Sequence, residues 1–188
     1  MRIDSVTTRT GDTGTSALTD GSRRPKDDLL FTAMGSVDET NSLLGVVRLQ
    51  PLAPAVAAAL PIIQNDLFDL GADIATPPGG PYEAKIPRIR PAQVARLDQW
   101  LLEGNATLAP LTTFVLPGGS PAAAWLHLAR TVVRRAERDL VAAQNHEPLR
   151  TWNPEGLRYL NRLSDLCFVW ARLANDGGKT DLGWKPGG

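Results

Sequence analysis

Apolar residues recur at helical spacing in several long segments of this chain, while the alternation expected of strands is scarce. The first segment runs from 36 to about 49. Ser36-Val37-Asp38-Glu39 reads there as a capping box, with Ser36 as N-cap and Glu39 at the third helical position. Pro51 closes it. The second runs from about 54 to 75, with Ile62, Ile63, Leu67, Leu70 and Ile74 on its apolar side and Pro61 in a bend or an early turn. A Pro/Gly-rich loop covers 76–81. The third helix extends from 90 to about 103, with Pro91 at its first position and Val94, Leu97 and Leu101 facing inward; Gly104-Asn105 ends it. The fourth begins at Ser120 (N-cap) and Pro121 and reaches about 145. The fifth spans about 154 to 175 and stops at Gly177-Gly178. Short loops join these helices, which predicts an all-α, up-and-down five-helix bundle. The N-terminal segment and the glycine-rich C-terminal tail lie outside it.

Composition narrows the function classes. The chain has 188 residues, enough for one domain (1–188) with a sizeable core. Its net charge is zero, which argues against nucleic-acid binding. No apolar run is long enough to span a membrane, and Met1 to Val6 leads straight into a polar loop with no targeting signal. A cytoplasmic location is expected. The single cysteine, Cys167, excludes an internal disulfide framework and lies in an apolar helical stretch, where it reads as a small buried hydrophobe. His127 and His146 have no partner at metal-ligand spacing, so no protein-ligated zinc is expected.

The N-terminal segment shows neither helix nor strand signal. It reads Thr8-Arg9-Thr10-Gly11-Asp12-Thr13-Gly14-Thr15, then Asp20-Gly21-Ser22-Arg23-Arg24-Pro25-Lys26-Asp27. Glycines three residues apart free the backbone for close approach to a ligand. Hydroxyls and four cations (Arg9, Arg23, Arg24 and Lys26) surround them. Main-chain N–H groups and cations together can wrap a polyphosphate. P-loop and dinucleotide spacings are both absent. A Gly/Thr-rich tail fits the same residues.

Three helical faces carry polar residues. On the fourth helix, Arg130, Arg134, Glu137 and Arg138 share one side at about 100° per residue, with His127 nearby and Arg135 pointing elsewhere. Leu128, Val132, Ala136 and Leu140 form its apolar side. A solvated face accounts for the arginines, and so does an anion site. Leu116-Pro117-Gly118-Gly119-Ser120 adds a glycine turn before that helix's N-terminus. On the first helix, Asp38, Asn41, Ser42 and Gly45 make a small polar face that suits solvent, a ligand or an arginine from a neighbouring helix. On the fifth, Arg158, Asn161, Asp165, Phe168 and Arg172 share a stripe, with Arg162 and Asp165 spaced as a local pair. A phenylalanine amid polar residues suits an apolar ligand or a subunit interface. Phe114, between Thr112-Thr113 and the Pro-Gly-Gly turn, reads by itself as a core anchor.

The same residues resemble a known family. Thr8-Arg9-Thr10-Gly11-Asp12-Thr13-Gly14, Lys26-Asp27 and Val37-Asp38-Glu39-Thr40-Asn41-Ser42 are similar to the signature of PduO-type ATP:cob(I)alamin adenosyltransferases. So are Gln64-Asn65-Asp66-Leu67-Phe68-Asp69-Leu70-Gly71, Phe114-Val115-Leu116-Pro117-Gly118-Gly119, the run 130–138 and Tyr159-Leu160-Asn161-Arg162-Leu163-Ser164-Asp165. The motifs keep their order over nearly the whole chain. Met34 stands where the family usually has Tyr, and Thr40 where it usually has Leu; both read as packing positions.

The resemblance implies a cobalamin adenosyltransferase-like fold. It also implies transfer of the 5′-deoxyadenosyl group of ATP to cob(I)alamin, with release of triphosphate. Cob(I)alamin is then the nucleophile, and the protein aligns it and stabilises the leaving group. By resemblance, Thr8, Arg9, Thr10, Gly11, Asp12, Gly14 and Thr15 wrap ATP and Lys26 reaches its phosphates. Arg134, Glu137 and Asn161 contact the nucleotide. Asp38 and Arg130 form a salt bridge between neighbouring subunits of a homotrimer. Phe114 takes the lower face of cobalt, displacing the cofactor's own base and favouring four-coordinate Co(II). Phe168 lies in the apolar pocket under the corrin. Mg²⁺ is expected through the ATP phosphates, with no protein ligand assigned. A reductase and an adenosylcobalamin-dependent enzyme are possible partners; no nucleic acid or membrane is expected. From the residues alone, a phosphoryl-transfer enzyme and a nucleotide or cobalamin carrier stay open.

Overall fold

The computed structural model describes residue 7, residues 9–80 and residues 83–188. Five α-helices dominate: α1 (Leu29–Val47), α2 (Pro54–Ile74), α3 (Pro91–Asn105), α4 (Pro121–His146) and α5 (Pro154–Ala174). A short antiparallel hairpin, β1 (Thr15–Ala17) with β2 (Arg23–Pro25), precedes them. The N-terminal segment therefore carries strand structure that its composition did not announce. Leu18, just past β1, is buried and anchors the hairpin, while Thr19 bonds to Ala75 and Thr76 at the end of α2.

Spatial order differs from chain order. α4 packs between α1 and α5, α2 lies on the outer side of α1, and α3 packs on α5. Leu30, Leu44, Leu60, Ile63, Leu67, Leu126, Leu140, Leu160 and Leu163 fill the interior. Tyr159 is also fully buried. Its hydroxyl donates to Asp66 Oδ2 at 2.9 Å, and the same carboxylate receives Gln93 (2.8 Å) and Arg96 (2.5 Å). One ion-paired and hydrogen-bonded Asp thus ties α2, α3 and α5 together, which is how a buried charge is tolerated. Asp73 does likewise for Arg88, the Ile89 amide and Asn153, the N-cap of α5.

Helix starts at Ser120, Pro91 and Pro154 match their sequence signals. The first helix does not. α1 starts at Leu29, where Asp28 caps it by accepting from the Leu30 amide at 2.8 Å. Ser36 lies inside the helix, buried, and its hydroxyl donates to Asp139 on α4 at 2.5 Å. The capping-box pattern was a buried polar contact between helices. Helix α2 passes through Pro61 without a break. Ile62 (41 % exposed) and Leu128 (46 %) point outward, not into the core. Thr40 is fully buried, its hydroxyl satisfied by Ser36 O, and Met34 packs against the core, so both are packing positions. Cys167 is fully buried, and burial pushes its thiol up to about 12; it is no nucleophile.

Candidate functional site

The N-terminal loop is built by its own short-range contacts. Gly14 donates to Gly11 O (3.2 Å) and Lys26 N to Gly14 O (2.9 Å). Gly14 sits at φ 80°, a conformation open to glycine at no steric cost. Lys26 lies across the turn: a Cβ on Gly11 would stand 3.0 Å from Lys26 Nζ. Arg23 braces the loop, with Nη2 donating to Thr10 O (2.6 Å) and Thr15 O (3.0 Å). Arg24 turns away to Glu147 and Asp28. Arg23 thus holds the loop in shape and Arg24 is paired outside it, while Arg9 and Lys26 are exposed. Thr10, Asp12 and Thr15 stand in the same loop. Thr8 lies outside the described residues.

A hollow of about 520 Å³ lies between α3, α4 and α5, with no residue of the N-terminal loop in its lining. Arg130 and Arg134 from α4 face Asp165 and Phe168 from α5, with Phe114 at the rim. Phe114 is 78 % exposed, so it is not a core anchor. Glu137 accepts from Asn161 at 3.0 Å, joining α4 to α5 beside the hollow. Arg162 is held by Asp98 and Asn161 and forms no ion pair with Asp165. Desolvation holds the Asp165 carboxyl above its usual range, against the pull of Arg162 and Arg134. Within the stripe on α5, Arg172 is buried on Asp181 and Arg158 pairs with Glu155, so neither reaches the hollow. Arg135 pairs with Glu39 and Arg138 donates to Arg134 O.

Under Phe168 lies His127, 2 % exposed, its ring 6.0 Å from the phenylalanine and edge-on. Neither of its nitrogens has a partner. Burial first, and Arg130 second, push its pKa below the ordinary value, so it stays neutral.

Asp38 is elsewhere. It lines a second hollow of about 480 Å³ between α1 and α2, with Met34, Asn41 and the exposed Phe68. α1 and α5 flank α4 on different sides, so within one chain Asp38 and the Arg130 hollow are apart. Arg130 Nε is buried without a partner.

Sequence reasoning did not link the C-terminal tail to Phe114. Val115 bridges to Gly183, Trp184 N donates to Phe114 O (2.7 Å), and Leu116 N donates to Leu182 O (2.8 Å). Trp184 stacks obliquely on Phe114 at 6.2 Å. The only sequence hint was Trp184, a large apolar group in a glycine-rich tail.

Residues 6–174 match the profile of the Cobalamin adenosyltransferase family. The chain belongs to the cobalamin adenosyltransferase family. A Cobalamin adenosyltransferase of Cupriavidus metallidurans is 49% identical over 186 residues, 98% of this chain and 96% of that protein. A Corrinoid adenosyltransferase of Mycobacterium leprae is 45% identical over 193 residues, 100% of this chain and 99% of that protein. Among solved structures, a phenylalanine-to-histidine variant of the PduO-type ATP:corrinoid adenosyltransferase from Lactobacillus reuteri, complexed with cobalamin and ATP, superposes with a TM-score of 0.87. It is 30% identical and covers 96% of this chain and 97% of its own. The adenosyltransferase fold is thus this chain's fold.

Proposed function

We propose that this chain transfers the 5′-deoxyadenosyl group of ATP to cob(I)alamin, at sites completed between the subunits of a homotrimer. The observation that carries this is one hollow in which two arginines face two phenylalanines. An anionic leaving group needs the first pair, and a flat apolar macrocycle suits the second. Cobalt of cob(I)alamin supplies the electron pair to C5′, the Co–C5′ bond forms, the C5′–O bond breaks, and triphosphate leaves. No protein nucleophile is needed, in keeping with the buried Cys167. Arg134, with Lys26 and the amides of 10–15, offsets the charge on the departing triphosphate. Glu137 and Asn161, bonded to each other, position the nucleotide side of the hollow. Phe114 occupies the lower face of cobalt, and Phe168 lines the pocket beneath the corrin.

The trimer accounts for the separation of Asp38 from the Arg130 hollow. Asp38 pairs with Arg130 of the partner subunit, which brings the loop of one copy against the hollow of the next. Exposed Phe68 and Leu128 on the α1 side are apolar surface that such contact would cover. Among the described residues no three acidic, His or Cys side chains come together. Mg²⁺ arriving with ATP would take phosphate oxygens and water as ligands. Among the described residues no helix is long and apolar enough to cross a membrane. We place the activity in the cytoplasm, fed by a reductase and drained by an adenosylcobalamin-dependent enzyme.

The test is an anaerobic assay with ATP, cobalamin and a strong reductant. The expected result is the absorbance change of cobalt–carbon bond formation together with one triphosphate per turnover. ADP or diphosphate as the product would turn the reading toward phosphoryl transfer, and binding without a cobalt–carbon bond toward a carrier.

A further inference from the structure

Phe114 is 78 % exposed, so packing against the core does not set its direction. The backbone around it is set by the C-terminal tail, through the bridge from Val115 to Gly183 and the flanking bonds to Leu182 and Trp184. Thr113 adds its hydroxyl, donating to Trp184 O at 2.9 Å. A Cβ on Gly183 would come within 2.9 Å of the Thr113 methyl, so the two strands touch closely. What, then, holds the tail?

Beside backbone bonds from Gly178 and Thr180 to the end of α5, one buried carboxylate ties the tail down. Asp181 Oδ2 accepts from Arg172 Nε on α5 at 2.8 Å, and Oδ1 accepts from Asn175 Nδ2 at 3.0 Å. The ion pair is nearly sealed, with side-chain exposures of 8 % and 6 %. Asn175 caps α5 and also reaches the turn after Phe114, taking the Ser120 amide (2.9 Å) and giving to Gly118 O (3.1 Å). Gly119 permits this approach: it sits at φ 101°, and a Cβ there would lie 2.2 Å from Asn175 Oδ1. The contacts close a ring. It runs from Phe114 through Gly118 and Ser120 to Asn175, on to Asp181, and back along 182–184 to Phe114.

We infer that Asp181 is a positioning residue for adenosyl transfer, acting through Arg172, Asn175 and the tail to fix Phe114 at the rim of the hollow. Its consequence for cobalt rests on the reading of Phe114 given above. The ring itself does not. A buried carboxylate with two fixed donors resists displacement, because a freed Arg172 would keep its bond to Ala109 O but be left buried without a counter-charge. The tail is therefore a built strut for the cobalt-side wall.

Asp181→Asn keeps the side chain's shape and turns one acceptor into a donor. Arg172 and Asn175 then compete for a single carbonyl oxygen. The Leu116 and Trp184 amides are expected to exchange with solvent about tenfold faster, while the helices keep their protection. Turnover falls about tenfold, the order expected when a group at the reacting centre is misplaced. The KM for ATP stays unchanged. The EPR signal of four-coordinate Co(II), recorded with ATP and cob(II)alamin, weakens in parallel. In a Phe114→Ala background, Asp181→Asn causes no further loss of turnover. Wild-type exchange at Leu116 and Trp184 in Asp181→Asn would overturn the ring. An additive loss in the double variant would overturn the route through Phe114. A Phe114→Ala protein with the wild-type Co(II) signal would remove the reading of Phe114 and leave the exchange rates to decide the ring. If Asp181→Asn fails to fold, Thr113→Val removes only the hydroxyl bond to Trp184 O. It must raise exchange at Trp184 in the same direction.

Discussion

The two walls of the proposed site are held in opposite ways. The nucleotide wall is local: Arg23 braces Thr15 and Thr10 across 8 and 13 residues of chain. The cobalt wall is not: Thr113 meets Trp184 across 71 residues, and Ser120 meets Asn175 across 55. A local loop can be remade by its own residues whenever a ligand leaves. A long-range strut has to survive as part of the fold. In the proposed reaction one wall stabilises the leaving group and the other prepares the nucleophile, so both are needed.

The largest effect is expected where the charge of the leaving group lands. Arg134→Ala should lower kcat by about 10²–10³, the usual loss for one preorganised donor to developing charge. The proposed trimer should persist, because Arg134 is exposed and Arg138 bonds only to its backbone carbonyl. Steady-state kinetics beside light scattering separates the two; near-wild-type turnover would remove Arg134 from the chemistry. Next comes Phe114→Ala. It should cost roughly 10–10² in turnover and abolish the four-coordinate Co(II) signal, with ATP binding intact. A variant that lost ATP affinity instead would show the two walls to be one structure.

A smaller effect tests the local wall. Arg23→Ala removes the bonds to Thr10 and Thr15 from an exposed loop. The KM for ATP should rise about fivefold, equivalent to ~1 kcal/mol of loop order, with the Co(II) signal unchanged once ATP is saturating. Loss of that signal at saturating ATP would couple the walls.

The same contrast explains what could be read from the chain. Four of the five helix starts were announced by proline or a capping residue, because those signals act within one turn. The fifth was misplaced. Ser36 looks like an N-cap, yet its partner is Asp139, 103 residues away. Asp28, the true cap of α1, was hidden in a polar run. Arg134, Glu137 and Phe168 were legible as helix faces, since a face needs only a 3.6-residue period. Asp181 and Asn175 were not. Nothing near them in sequence marks them as a clamp, and their meaning appears only once the tail folds back on 114–120. The division between Arg23, Arg24, Arg9 and Lys26 was equally invisible, because all four are simple cations until their partners are in place.

The smallest expected effect concerns His127, in the bed of Phe168. Its ring is buried with neither nitrogen partnered, and burial together with Arg130 favours the neutral form; Asp181 opposes them weakly. The folded state therefore binds this proton less well than the unfolded chain, whose histidine titrates near ~6.5. Stability then falls as pH drops below that value, by at most ~1.4 kcal/mol per pH unit. In His127→Leu this dependence disappears. Thermal unfolding of both proteins at pH ~7.5 and ~5.5 should show the variant gaining on the parent as the pH falls, carboxylate titrations being common to both. A constant difference between the two would mean that the imidazole keeps an ordinary proton affinity. The floor beneath Phe168 would then be open to water, and the hollow would lose the dry side on which an apolar macrocycle depends.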